Sequence, residues 1–213
     1  MLEKINLVKE EILNVSPLDI NELKKEDTAL VVVDVIRGFS DIGVLATDRT
    51  QKIEKDLVSL IKKISGSDKI FFIDSHTKES TEFKSFPVHC LEDSEETELV
   101  TWLKDKDIID DKSTFIKKNS TNGFHAIGFK KWLKNHGHIN NYIITGVCTD
   151  ICVSNFALTL KTFFDQHNLD KRIIVPINTV ETYDMGSHDA DLMNIFTLYN
   201  MKTNGIEIVK RVE

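Results

Sequence analysis

Proline and glycine are scarce in this sequence, three and nine of 213 residues, and neither gathers into a linker or low-complexity tract. No internal repeat occurs either. With 41% hydrophobic residues and no linker, a single well-filled core is expected. Long apolar runs are missing as well. Nothing approaches the ~18 residues of a membrane span. The opening MLEKINLVKEEIL carries charges where a secretory signal needs its apolar centre, so a cytoplasmic protein without membrane contact is expected. Three cysteines are too few for a disulfide framework, and each is expected to be a core thiol, a ligand or a catalyst. A basic face is lacking too. The net charge is −7 and lysines are interleaved with acids, as in Lys52–Asp56, which argues against a nucleic-acid binder.

What is present is an alternation of apolar runs with helical patterns. Residues 1–27 read as a helical leader, with helical spacing over 2–14 ended by Ser16-Pro17 and a second short helical piece near Asp19–Lys25. Residues 28–213 read as one domain. Its expected strands are Thr28–Val33, Lys69–Ile73, Asp111–Ile116, a run from Tyr142, Arg172–Val175 and Gly205–Val209. Its expected helices are Arg49–Ser65, Glu95–Lys104, Phe129–Asn135, Ser154 to about Gln166, and Ala190–Tyr199. Strands alternating with helices predict an α/β fold with a doubly wound, mostly parallel sheet flanked by helices.

Several strands end on a polar residue, at the rim where open α/β sheets bind ligands. The stretch Tyr142–Val153 runs as a buried strand, breaks at Gly146 and enters a helix, which puts Cys152 in the first helical turn. Backbone N–H groups and the positive end of a helix dipole there favour thiolate. Cys152 is therefore a candidate nucleophile, although a strand-end cysteine is equally a core thiol, and Cys148 is close enough in sequence for a disulfide reading. Asp34 follows five apolar residues and is either a paired, functional carboxylate or a solvent-facing one. Asp74 and His76 alternate on an extended segment and can reach one point, which suits a metal ion, with further ligands from the loop carrying Glu79, Glu82 and His89. The bland reading is that these are ordinary loop polar groups. Lys118 leaves the end of the third strand toward the rim. An acid, a lysine and a thiol at three strand ends are the parts of an activated-thiol hydrolase.

With Asp34, Lys118 and the run Gly146–Val153 in place, the sequence over about 28–211 resembles the isochorismatase-like cysteine hydrolases, and among them the nicotinamidase branch. The resemblance implies a Rossmann-like three-layer sandwich with Asp34, Lys118 and Cys152 catalytic. The family's lysine stands six residues before a loop Phe, here Phe124, which selects Lys118 over its neighbour Lys117. The backbone N–H groups of Cys148 and Cys152 would form the oxyanion hole, Cys148 standing where the family usually has Ala after a cis peptide bond. Asp150 would be structural, and His188 resembles a late family His with no catalytic role. Phe39 takes the place of an aromatic that stacks on the substrate ring and Phe86 that of a pocket wall.

The branch's metal pattern falls on Asp74, His76, Glu82 and His89, with Glu79 in reserve, and implies one divalent zinc, iron or manganese ion per subunit. Ser75 between Asp74 and His76 departs from the branch's usual aromatic, and the gap from His76 to Glu82 is shorter than in its Glu-type members. The implied activity is hydrolysis of nicotinamide to nicotinate and ammonia in NAD salvage, by a homo-oligomer. Rival readings are another amide hydrolase of the family acting on N-carbamoyl or ureido amides without a metal, and a non-catalytic binding subunit on the same fold. The isochorismate-cleaving branch fits less well because it lacks the thiol.

Overall fold

In the computed structural model, which describes residues 2–104 and 108–213, the chain forms one parallel sheet covered by helices on both faces. The strands are β1 (Thr28–Val33), β2 (Asp68–Asp74), β3 (Ser113–Lys118), β4 (Asn141–Val147), β5 (Arg172–Pro176), β6 (Val180–Glu181) and β7 (Glu207–Val209). They run in the order β3-β2-β1-β4-β5-β7, with the short β6 pairing the end of β4. The helices are α1 (Leu2–Leu13), α2 (Glu54–Lys63), α3 (Ile127–Asn135), α4 (Ser154–Gln166) and α5 (Ala190–Thr203).

The central strand β1, sequence TALVVV, is buried along its whole length because both its faces are covered. Alternation then sorts its side chains. Ala29, Val31 and Val33 face a core that includes Ile12, Phe129, Trp132, Phe156 and Leu198 from α1, α3, α4 and α5. Leu30 and Val32 face a second core built on Leu57, Leu60 and Ile61 of α2 with Leu18, Leu99 and Leu103. The leader thus contributes to both cores: Ile12 is fully buried in the first, and Leu18, in the second, bridges Val212. Among the described residues no helix is long and apolar enough to cross a membrane.

Winding runs outward in both directions from β1 and β4, so the two strands meet at the switch point where such sheets open a crevice at their carboxyl ends. The close approach of these strands explains Gly146. Its φ of +112° is open to glycine, and a Cβ there would lie 2.0 Å from the Val33 carbonyl oxygen.

The structure corrects some expectations. Glu95–Lys104 is not a helix but two single 3-10 turns, Glu95–Thr97 and Thr101–Leu103. Between them Leu99 bridges Ile36 and the Glu98 carbonyl accepts the Arg37 N–H, so the segment is an extended strap over the second core. The helix expected from Arg49 begins as a 3-10 turn, Asp48–Ile53, and is α-helical only from Glu54. The third strand lies two residues later than expected and ends on Lys118 itself.

Candidate active site

β1 delivers Asp34, β2 delivers Asp74, β3 delivers Lys118, and β4 runs into a π-helical turn, Thr149–Val153, that carries Cys152 before α4 begins. Asp74 and Lys118 are register partners on adjacent strands. Asp34 turns out of β1 in the left-handed region, φ +51°, where Asp is better tolerated than most side chains. The peptide bond between Val147 and Cys148 is cis. The Cys148 carbonyl accepts the N–H groups of Ile151 and Val153, 3.1 Å each, which folds the turn back over the end of β4.

Three of the sequence-derived candidates meet at the Lys118 ammonium. Its Nζ lies 2.8 Å from Asp34 Oδ2, 2.8 Å from Asp74 Oδ1 and 3.6 Å from Cys152 Sγ. Asp34, Lys118 and Cys152 are 0%, 2% and 6% exposed, so these charges act in a medium of low polarity. The Lys118 contact to Asp34 is an ion pair outside hydrogen-bond geometry, and neither Asp34 oxygen has a hydrogen-bonding partner that satisfies it. Burial pushes the Asp34 carboxyl up to about 6, with Lys118 drawing it down and Asp74 pushing it up. Lys118 is held well above the usual lysine value: burial opposes its charge, but the two carboxylates outweigh burial.

Cys152 departs from expectation. Burial, together with Asp34 and Asp74, raises its thiol well above the usual cysteine value, and Lys118 offsets this only in part. Beside it stands the Asp34 carboxyl, itself raised to about 6. Cys148 is pushed up to about 12, mainly by burial. All three cysteines are free, so no Cys148–Cys152 disulfide is present.

Asp74 Oδ2 faces the other half of the site. It lies 2.9 Å from His76 Nε2 and 3.2 Å from His89 Nε2, and Glu82 Oε1 lies 3.7 and 4.0 Å from the same two nitrogens. Asp74, His76, Glu82 and His89 each offer one ligand atom within 4.8 Å of the others. Glu79, the reserve ligand, is exposed and outside this group. The loop that carries them is closed at its base, where His76 N–H donates to Cys90 O and Glu92 N–H to His76 O.

The opposite ring nitrogens are already engaged: His76 Nδ1 is 3.0 Å from Asn119 Oδ1, and His89 Nδ1 is 2.7 Å from Pro87 O. With protons on Nδ1, both Nε2 lone pairs face the Asp74 oxygen, an arrangement that calls for a cation among them. Two imidazoles and two carboxylates fit a divalent ion such as zinc, iron or manganese. Although burial alone would raise it, Lys118 and the two imidazoles hold Asp74 far below the usual carboxylate range.

Both halves open on one cavity of about 340 Å³, near the small end of the roughly 300–1,000 Å³ typical of ligand pockets. Phe39, Phe86, His89, Cys148 and Cys152 line it. The rings of Phe39 and Phe86 stand 5.8 and 6.2 Å from that of His89. Sequence reasoning missed Phe83, whose ring packs edge-on against His76 and His89, and the lining residues Tyr183 and Met185. Only Phe83, placed between two candidate ligands, carried a readable signal.

Residues 28–205 match the isochorismatase domain. Nicotinamidase 1 of Arabidopsis thaliana is 28% identical over 92% of this chain and 90% of its own. The pyrazinamidase/nicotinamidase of Streptococcus mutans superposes with a TM-score of 0.70 at 25% identity, over 85% of this chain and 99% of that one. The pyrazinamidase of Pyrococcus horikoshii, solved in complex with zinc, shares the fold at a TM-score of 0.69 and 24% identity, over 86% and 99% of the two chains.

Proposed function

The chain belongs to the isochorismatase family, whose relatives make it a hydrolase of amide bonds, and from that premise we propose that it is a metal-containing nicotinamidase, releasing nicotinate and ammonia from nicotinamide. The observation that carries this reading is that a four-residue ligand set and a buried thiol face the same small cavity and share Asp74 and Lys118 between them. A carbamoyl-type amide needs no metal beside the thiol, whereas a pyridine carboxamide presents a ring nitrogen for one side of the cavity and an amide carbon for the other.

In this mechanism Asp34 takes the proton from Cys152 as the sulfur attacks the amide carbon. A buried carboxylate near 6 is basic enough at neutral pH for that task and is returned to its acid form by it. Lys118, held cationic by two carboxylates, stabilises the thiolate as it forms. The backbone N–H groups of Cys148 and Cys152 receive the oxyanion. Asp34 then gives its proton to the departing ammonia, leaving a thioester on Cys152, and removes a proton from the water that hydrolyses it. Phe39 and Phe86 confine the ring. Asp74, His76, Glu82 and His89 would hold a divalent ion, which would supply a Lewis acid for the pyridine nitrogen.

The test is ammonia release from nicotinamide by the purified protein, before and after chelation. Release that stops on chelation and returns with zinc, iron or manganese is the expected result. Metal-replete protein that releases no ammonia while Cys152 still alkylates would transfer the reading to another amide. The nicotinate formed would enter NAD salvage.

A further inference from the structure

We propose that His188 is the positioning residue that locks the nucleophile turn to the substrate-facing wall, an assignment that rests on reading Cys152 as the nucleophile. His188 belongs to a short turn in which Met185 and His188 exchange backbone hydrogen bonds of 3.1 and 3.0 Å, with Gly186 at φ +62° between them. That turn folds the ring of His188 flat onto Tyr183, with centroids 3.8 Å apart and planes at 10°. Tyr183 and Met185 line the cavity that Cys152 and the candidate metal ligands also face.

The same imidazole reaches into the nucleophile turn. Its Nε2 lies 2.8 Å from Asp150 Oδ2 and its Nδ1 2.9 Å from the Tyr183 carbonyl. The other oxygen of Asp150 accepts a 2.5 Å hydrogen bond from Thr182 Oγ1, and Arg49 Nε donates to the Thr182 carbonyl at 3.1 Å. Asp150 is nearly buried and stands between Cys148 and Cys152. One carboxylate therefore receives both ends of the wall segment, and the geometry of sulfur, oxyanion donors and wall is set by a single hub. A shift of the hub moves the reacting atoms relative to bound substrate, an effect to which rates are steeply sensitive.

The stack and the hydrogen bond can be separated. His188→Phe keeps a ring on Tyr183 and has no N–H. His188→Gln keeps a donor for Asp150 and has no ring. With nicotinamide, His188→Phe is expected to lower kcat about tenfold with little change in KM, while His188→Gln recovers kcat to within about threefold and raises KM severalfold. Thermal melting checks folding, and should His188→Phe not fold, Asp150→Asn carries the same expectation for kcat. A wild-type kcat in His188→Phe, or no recovery in a folded His188→Gln, overturns the proposal.

If the unmodified protein does not hydrolyse nicotinamide, the substrate reading fails by itself. The rate of Cys152 alkylation by iodoacetamide, read by peptide mass, then replaces kcat. It is expected to fall severalfold in His188→Phe, as the sulfur loses its Lys118 neighbour, and to return in His188→Gln. An unchanged rate overturns the proposal.

Discussion

On the thiol side of the cavity, Asp34, Lys118 and the turn bearing Cys152 hang from β1, β3 and β4, strands of one continuous sheet. On the metal side, His76, Glu82 and His89 belong to one excursion of chain after β2, and only Asp74 is a strand residue. The first side is positioned by backbone hydrogen bonds among strands distant in sequence. The second is positioned by side-chain contacts within a loop, by Asn119 and Pro87 behind the two imidazoles, and by the edge of Phe83. Asp74 belongs to both, giving one oxygen to Lys118 and the other to His76 and His89. Under the proposed mechanism the strand-borne frame would carry the covalent chemistry and the loop recognition, with Asp74 shared between them.

The largest expected effect tests the frame. Cys152→Ala should lower nicotinamide hydrolysis by about 10⁴-fold or more, since the residues that serve the nucleophile act as a unit with it. Cys148→Ala should retain most activity, because only its backbone N–H is used. The reverse pattern in an ammonia assay would exchange their roles. Next in size, Lys118→Met leaves Asp34 buried without a counter-ion and takes from Asp74 one of its cationic partners. Removing one partner of such a group destabilises by about 3–5 kcal/mol. Urea denaturation should show a loss of that order, accompanied by loss of activity; an unchanged midpoint would mean that Lys118 is dispensable to the frame.

A milder change addresses the loop. Glu82 also accepts the Thr121 N–H at 3.1 Å, so Glu82→Gln removes a charge without emptying its place. Metal affinity should fall by roughly tenfold or more, with activity restored by excess metal. Such rescue would be absent for Cys152→Ala, and that contrast separates the two sides. A Glu82→Gln protein with full affinity would take Glu82 out of the ligand set.

The same division governs what could be read from the sequence. Apolar runs that stop on a polar residue, such as TALVVV before Asp34, disclosed the strands and thereby the frame. Alternation on one extended segment placed Asp74 and His76 together, and the family pattern, not spacing alone, selected Glu82 and His89 from the loop that follows; the four ligand atoms gather within 4.8 Å. Neither signal reaches contacts between distant segments. Charged Glu95–Lys104 has helical composition, but its backbone is drawn out by Leu99 against Ile36 and by the Cys90 N–H on the Glu96 carboxylate, neither of which is local. Helix-end position favours thiolate at Cys152, yet burial, with Asp34 and Asp74 brought close by β1 and β2, raises the thiol above its usual value. Tyr183 carried no signal, and His188 resembled only a late family His; that their turn brings Tyr183 to the cavity and docks His188 on Asp150 is a contact between distant segments.

The smallest expected effect concerns pH, and it discriminates between the two sides most finely. If the frame limits the reaction, Asp34 must be ionised to accept the thiol proton. Its carboxyl lies at about 6, so kcat/KM should be level above neutrality and fall below pH 6 by about tenfold per unit. Lys118 draws that carboxyl down, so any folded Lys118→Met protein with residual activity should show the acid limb at higher pH. The loop offers a competing cause. Burial disfavours charge on His76 and His89, but Asp74 outweighs it and raises both, so protons compete with metal for their Nε2 atoms. Competition of that kind depends on metal concentration, whereas ionisation of Asp34 does not. A pH profile repeated at two metal concentrations should superpose; an acid limb that retreats as metal is added would assign the limit to the loop.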